Sequence, residues 1–218
     1  MFLTLLFEQP GRYVVAVVIV IVSIVLHELG HAIAASWEGD PTPKIRGHLT
    51  WNPVVHMGWL AIGLLLVVGI SFGRTPVTPS RFRHRRWGEA IVAFAGPAVN
   101  LGLAVLAAVV ILGLARARMM GEDDWKIPGT AAHFWGLMLD LNLTLFFLNM
   151  IPLPPLDGFT VAEGTFHLGE IGSMLRRAFP FTLIAAFLMV RSDAFSAIVE
   201  ATASAIFHVV SIPFAFLP

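Results

Sequence analysis

The chain contains no cysteine. That excludes disulfides, thiolate catalysis and cysteine-ligated zinc, so any metal has to be held by His and carboxylates. Charge is scarce too. Asp, Glu, Lys and Arg make up 13% of the 218 residues, about half the share in a soluble domain. The formal net charge is zero, so there is no basic field of the kind nucleic acid requires. No internal repeat or low-complexity tract interrupts the chain, and nothing in it reads as an appended soluble domain. What fills it is apolar: 57% of residues are hydrophobic and mean hydropathy is +0.80. Such a composition expects lipid.

The apolar runs predict helices. Residues 12–36 form a run long enough to span a bilayer, preceded by the breaker Pro10-Gly11 and ended by Trp37 and Glu38-Gly39-Asp40-Pro41. It exceeds the h-region of a signal peptide, so a retained helix is expected. Residues 51–73 are apolar but interrupted by Gly58, Gly63 and Gly69. The basic cluster Arg81, Arg83, Arg85 and Arg86 follows. Further helices are expected over 87–115 and 130–151, then a mixed surface segment over 158–178 and apolar runs at 179–190 and 194–217. The expected fold is an all-α polytopic membrane protein. Residues 1–178 form a three-helix catalytic core with a re-entrant hairpin segment, and 179–218 a C-terminal apolar helical segment.

His27-Glu28-Leu29-Gly30-His31 carries the chemistry. On a helix, positions i and i+4 share a face, so both imidazoles can bind one ion. Glu28 lies beside that face and can reach the attacking water without ligating the metal. Imidazole and carboxylate ligands with a position left for water favour zinc, and Glu28 is the expected general base. A Glu and two His inside a membrane helix are costly without a function. A catalytic zinc normally has three protein ligands, and the apolar segments offer Asp140 or Asp157. Asp157 is the better candidate. It follows a helix end in Pro154-Pro155-Leu156-Asp157-Gly158, where the prolines hold an extended backbone and Gly158 permits a sharp turn back into the bundle.

These residues resemble the site-2 protease family of intramembrane zinc metalloproteases. The resemblance rests on His27-Glu28-Leu29-Gly30-His31, on Gly96-Pro97-Ala98-Val99-Asn100, and on the run from Asn149 through Pro152 to Asp157-Gly158, in the family's order across residues 12–165. It implies His27, His31 and Asp157 as ligands of one zinc ion per chain, Glu28 as base, and Asn149 as a substrate or oxyanion contact. It also implies cleavage of transmembrane helices in other proteins within the lipid bilayer. The family often has a second glycine where this chain has Phe159. A non-enzymatic metal-binding or helix-binding membrane protein is the competing expectation, against which the intact Glu28 argues.

The remaining polar residues read as structural. His48, His84, His133, His167 and His208 have no partner at ligand spacing, whereas His56 opens the glycine-interrupted segment and is a candidate for the cavity's edge. Asn142 shares a face with Asn149 and reads as packing glue between helices. If His27, His31 and Asp157 meet, the helix over 130–151 runs toward the side where loop 37–50 emerges. The helix over 87–115 then runs away from it, and 51–73 has to begin and end on one side. Lys44, Arg46, Arg74, Arg81, Arg83, Arg85 and Arg86 gather there, against Arg12, Arg116, Arg118 and Lys126 opposite. The positive-inside rule then turns the site toward the cytoplasm, in the cell membrane of a prokaryote.

Overall fold

The computed structural model describes residues 2–84, 87–119, 129–166 and 168–215. Arg85, Arg86, His167 and the charged loop that holds Glu122, Asp123, Asp124 and Lys126 lie outside the described residues. Helix is the only regular structure among those described. A short α1 (Phe2–Glu8) leads into α2 (Pro10–Trp37), followed by α3 (Thr42–Ile45), α4 (Pro53–Val68), α5 (Gly88–Met119) and α6 (Gly129–Met150). The chain ends with α7 (Asp157–Phe166), α8 (Gly169–Arg177), α9 (Phe179–Val190) and α10 (Asp193–Ala215). Pro10 opens α2 rather than breaking the chain before it. A proline at the first helical position gives up an N–H that has no intrahelical partner there.

Three helices, α2, α5 and α10, are long and apolar enough to cross a membrane. Along α2, Val14, Val18 and Val22 lie four residues apart and face outward. The opposite side of the helix buries Ser23, His27 and His31 at the same spacing, so one helix divides an apolar face from a polar, inward stripe. Helices α2 and α5 run antiparallel, since His27 meets Asn100 and His31 meets Val92. Small residues set how near they come. A Cβ on Gly30 would lie 2.9 Å from both the Ala95 carbonyl oxygen and Val99 Cγ2, the close approach that glycine permits between membrane helices. Ala104, Ala107 and Ala108 of α5 are fully buried against Ile19 of α2, Leu139 and Leu143 of α6, and Phe195 and Val199 of α10. The C-terminal helix thus shares the core of the central bundle.

Helix α4 lies along α2, with Met57, Ala61 and Leu65 packed on Tyr13, Val17 and Ile24, and the Tyr13 hydroxyl donates to the Leu66 carbonyl at 2.6 Å. Two glycines shape this segment. Gly58 leaves the helix at φ 70°, ψ 165°, and Gly69 ends it at φ 81°, conformations that residues with a Cβ rarely adopt. The chain then returns beside its own start, where the Arg74 N–H donates to the His56 carbonyl at 3.0 Å.

Loops 37–50 and 74–84 are clasped together at the end of α2. Buried Asp40 accepts from the Thr42 N–H, the Thr42 hydroxyl and the Thr78 N–H. Burial works against its charge, yet these donors and Arg81 leave its carboxyl below the ordinary range. Glu38 accepts from the His84 backbone and ring N–H groups, which also lower its pKa.

Candidate metal centre

Two helices, α2 and α7, deliver the three candidate ligand atoms. His27 Nε2 lies 3.0 Å from Asp157 Oδ2, His31 Nε2 lies 3.4 Å from the same oxygen, and the two Nε2 atoms are 3.0 Å apart. Ligands about 2.0–2.1 Å from a tetrahedral zinc stand about 3.3 Å from one another. The triangle therefore has the right size for one zinc ion.

The protons on these imidazoles are fixed by what lies behind them. His31 Nδ1 faces the Val92 carbonyl at 2.7 Å. A carbonyl only accepts, so Nδ1 donates. Behind His27 the chain of bonds is longer. Asn142 Nδ2 donates to the Met138 carbonyl at 2.9 Å, which turns the Asn142 Oδ1 toward Asn100 Nδ2 at 3.0 Å. Asn100 Oδ1 therefore faces His27 Nδ1 at 2.6 Å, and Nδ1 again donates. One backbone carbonyl thus sets the sense of the whole relay. With both Nδ1 positions protonated, the neutral rings present Nε2 lone pairs toward the Asp157 carboxylate.

Three acceptors converging in a buried site repel one another unless a cation lies among them. A proton can bridge two of them, whereas a divalent ion satisfies all three. Gly96 supplies the space: a Cβ there would lie 2.6 Å from His27 Nε2 and collide with His31 Nε2. The donor set and the room beside it both fit zinc. Among the described residues, these three are the group of metal-capable side chains whose ligand atoms lie within 4.8 Å of one another.

Asp157 reaches the group because α6 stops at Met150 and α7 starts at Asp157 itself. The Thr182 hydroxyl of α9 donates to the Pro154 carbonyl at 2.6 Å and ties down the intervening loop. Gly158 lets the start of α7 press on the end of α6, since a Cβ there would collide with the Met150 carbonyl. Phe159, where a second glycine was the family expectation, is buried with the Arg176 guanidinium 5.5 Å from its ring centroid.

Glu28 is buried beside the ligands, and the Thr75 hydroxyl lies 2.7 Å from its Oε2 and 3.0 Å from its main-chain oxygen. Asp140 is exposed on α6 and stands apart from the ligand group. Asn149 donates from Nδ2 to the Leu145 carbonyl of its own helix at 3.0 Å. His56 is buried, with Nε2 donating to the Thr50 carbonyl at 2.8 Å, and lies outside the ligand group.

The sequence reading missed three participants: Asn100 and Asn142 as the relay behind His27, and Thr75 at Glu28. Two asparagines within apolar helices were a usable signal, because each unsatisfied polar group in hydrocarbon costs several kcal/mol. A threonine in a proline-rich loop gives no such signal.

Comparison with known proteins places this geometry in context. Residues 15–123 match the model of peptidase family M50, a stretch that includes His27, His31 and Asn100 and ends before Asp157. YwhC of Bacillus subtilis strain 168, whose name designates it provisionally a zinc metalloprotease, is 37% identical over 149 residues, covering 67% of each chain. Rip2 of Mycolicibacterium smegmatis, provisionally named in the same way, is 36% identical over 166 residues, which are 71% of this chain and 60% of that protein. Rip2 of Mycobacterium tuberculosis H37Rv is 32% identical over 165 residues, with the same coverage. The chain thus spans about three fifths to two thirds of the length of these relatives. No solved structure matches it.

Proposed function

The chain belongs to peptidase family M50, and from that premise we propose that it is a zinc metalloprotease hydrolysing peptide bonds in or near the transmembrane helices of other proteins, as in regulated intramembrane proteolysis. One observation carries this: the three acceptor atoms of His27, His31 and Asp157 within 3.4 Å of one another, with both imidazole protons committed elsewhere. His27, His31 and Asp157 hold one zinc ion. When bound, zinc supplies Lewis acidity and a water activated near neutral pH.

Glu28 does the proton work. Its carboxylate takes a proton from the attacking water as the water oxygen bonds to the scissile carbonyl carbon. The proton passes to the leaving nitrogen as the C–N bond breaks, and the carboxylate is restored. Placing these groups within the bundle limits competing water. Asn149 is retained as a contact for substrate or oxyanion. The substrate is a membrane protein whose helix unwinds locally at the site.

The hairpin of α4 and its return give the expected topology a physical basis. Because Arg74 meets His56, we read residues 51–73 as entering the membrane and leaving on the same side. Lys44, Arg46, Arg74, Arg81 and Arg83 then share that side, and the positive-inside rule makes it cytoplasmic.

The test uses purified protein in bilayers with a panel of membrane-spanning substrate helices. The expected result is about one zinc per chain and cleavage that a chelator abolishes and added zinc restores. Full zinc occupancy with no helix cut across the panel would overturn the protease reading in favour of a non-enzymatic metal-binding protein.

A further inference from the structure

Glu28 receives a contact that the ligands do not share. The segment 73–75 comes from 45 or more residues down the chain and lies directly over the carboxylate. At its end, the Thr75 hydroxyl has one proton and two acceptors within reach, both on Glu28: Oε2 at 2.7 Å and the main-chain oxygen at 3.0 Å. The carboxylate is nearer and charged, so it is the stronger acceptor. Among the described residues, Oε1 makes no hydrogen bond. Gly73 presses from the same segment. A Cβ there would lie 2.6 Å from Glu28 Cγ and collide with Oε1, so the side chain has no room to swing toward it. The segment is itself pinned at both ends, by Arg74 N–H on the His56 carbonyl and by Thr78 N–H on Asp40.

We propose that Thr75 is a positioning residue for the base, holding Glu28 Oε2 so that Oε1 stays directed to the proton it has to take. This rests on the protease reading above. A buried carboxylate on a flexible stem has several rotamers, and fixing one of them saves the entropy of finding it in each turnover. Thr75 touches neither the ligands nor, on this proposal, the substrate. Its removal therefore slows the chemical step without weakening metal or substrate binding.

The experiment compares Thr75→Val, which keeps the shape and loses the hydroxyl, with Thr75→Ser, which keeps the hydroxyl. Thr75→Val is expected to hold full zinc, lower kcat roughly 10- to 30-fold and leave KM within about 2-fold. Thr75→Ser restores kcat to within about 3-fold of wild type. In a Glu28→Gln background, adding Thr75→Val changes the residual rate less than about 2-fold, because the group it positions is already gone. Should Thr75→Val fail to fold, Thr75→Cys against Thr75→Ser decides in the same way, since a thiol is a weak donor of similar size. A wild-type kcat in a folded Thr75→Val variant, or an equal loss in Thr75→Ser, overturns the proposal. So does a loss expressed in KM or zinc occupancy, which marks a structural strap. Absence of any cleavage by the wild-type protein instead removes the protease reading and this inference together.

Discussion

The proposed ligands and the proposed base differ in what holds them, although Glu28 is the sequence neighbour of His27. His27 and His31 are anchored from inside the bundle: one through Asn100 and Asn142 to the Met138 carbonyl, the other directly to Val92. Asp157 is set by the meeting of two helix ends. These supports are main-chain atoms of α5 and α6, or buried amides that end on them. Glu28 is held from the other side by one hydroxyl and one glycine in the segment after α4, a segment whose helix exposes Trp59 and Leu60 to more than two thirds of their area. The proposed metal-binding half is therefore built into the buried core, and the proposed proton-transfer half into a hairpin at its edge. A site divided in this way lets the chemistry be adjusted without disturbing the metal.

The largest expected effects test whether the halves separate. Asp157→Ala, His27→Ala and His31→Ala are each expected to lose zinc and cleavage together. Glu28→Gln is expected to keep zinc by metal analysis while cleavage falls by at least about 10²-fold. Loss of zinc in Glu28→Gln would make the glutamate a ligand and erase the division. Full zinc in Asp157→Ala with loss in Asp140→Ala would reassign the third ligand.

Smaller effects sharpen the ligand half. Asn142→Leu removes the link that fixes the amide of Asn100, and so the proton direction at His27. Zinc affinity measured by competition with a chelator is expected to weaken about 10- to 100-fold, with cleavage largely recovered when zinc is in excess. An unchanged affinity would show that Asn142 packs the helices without orienting the ligand.

The long helices and their order were readable because an apolar run long enough for a bilayer has few other uses, and the i, i+4 histidines declare a shared face. Asp157 was also within reach, since prolines and a glycine around a carboxylate at a helix end restrict where it can point. The relay was not, because an asparagine in an apolar helix looks the same whether it joins two helices or orients a ligand. Asn142 does both: it bridges α6 to α5 and through Asn100 reaches His27. Thr75 was least legible. Its role depends on a hairpin returning to a precise depth beside α2, and no local pattern encodes that.

The smallest functional effects belong to the topology test, which alters only exposed positions. The division between core and hairpin assumes that residues 51–73 begin and end on one face, the reading we propose from the His56–Arg74 contact. The chain has no native cysteine, so single reporters carry no background. Lys44→Cys and Ser80→Cys, on either side of the hairpin, are expected to keep full cleavage, to resist an impermeant thiol reagent in intact cells, and to react after permeabilisation. Gln9→Cys, ahead of α2, is expected to react in intact cells. If Lys44→Cys and Ser80→Cys label from opposite sides, 51–73 crosses the bilayer and α5 enters from the far face. Helix α6 would then deliver Asp157 away from His27 and His31. Thr75 would leave Glu28 as well, so both halves of the site would fail on one measurement. Labelling of Lys44→Cys and Ser80→Cys from outside, with Gln9→Cys shielded until permeabilisation, would leave the fold intact and reverse only its orientation. The excess of Lys and Arg around the hairpin would then need a cause other than the positive-inside rule.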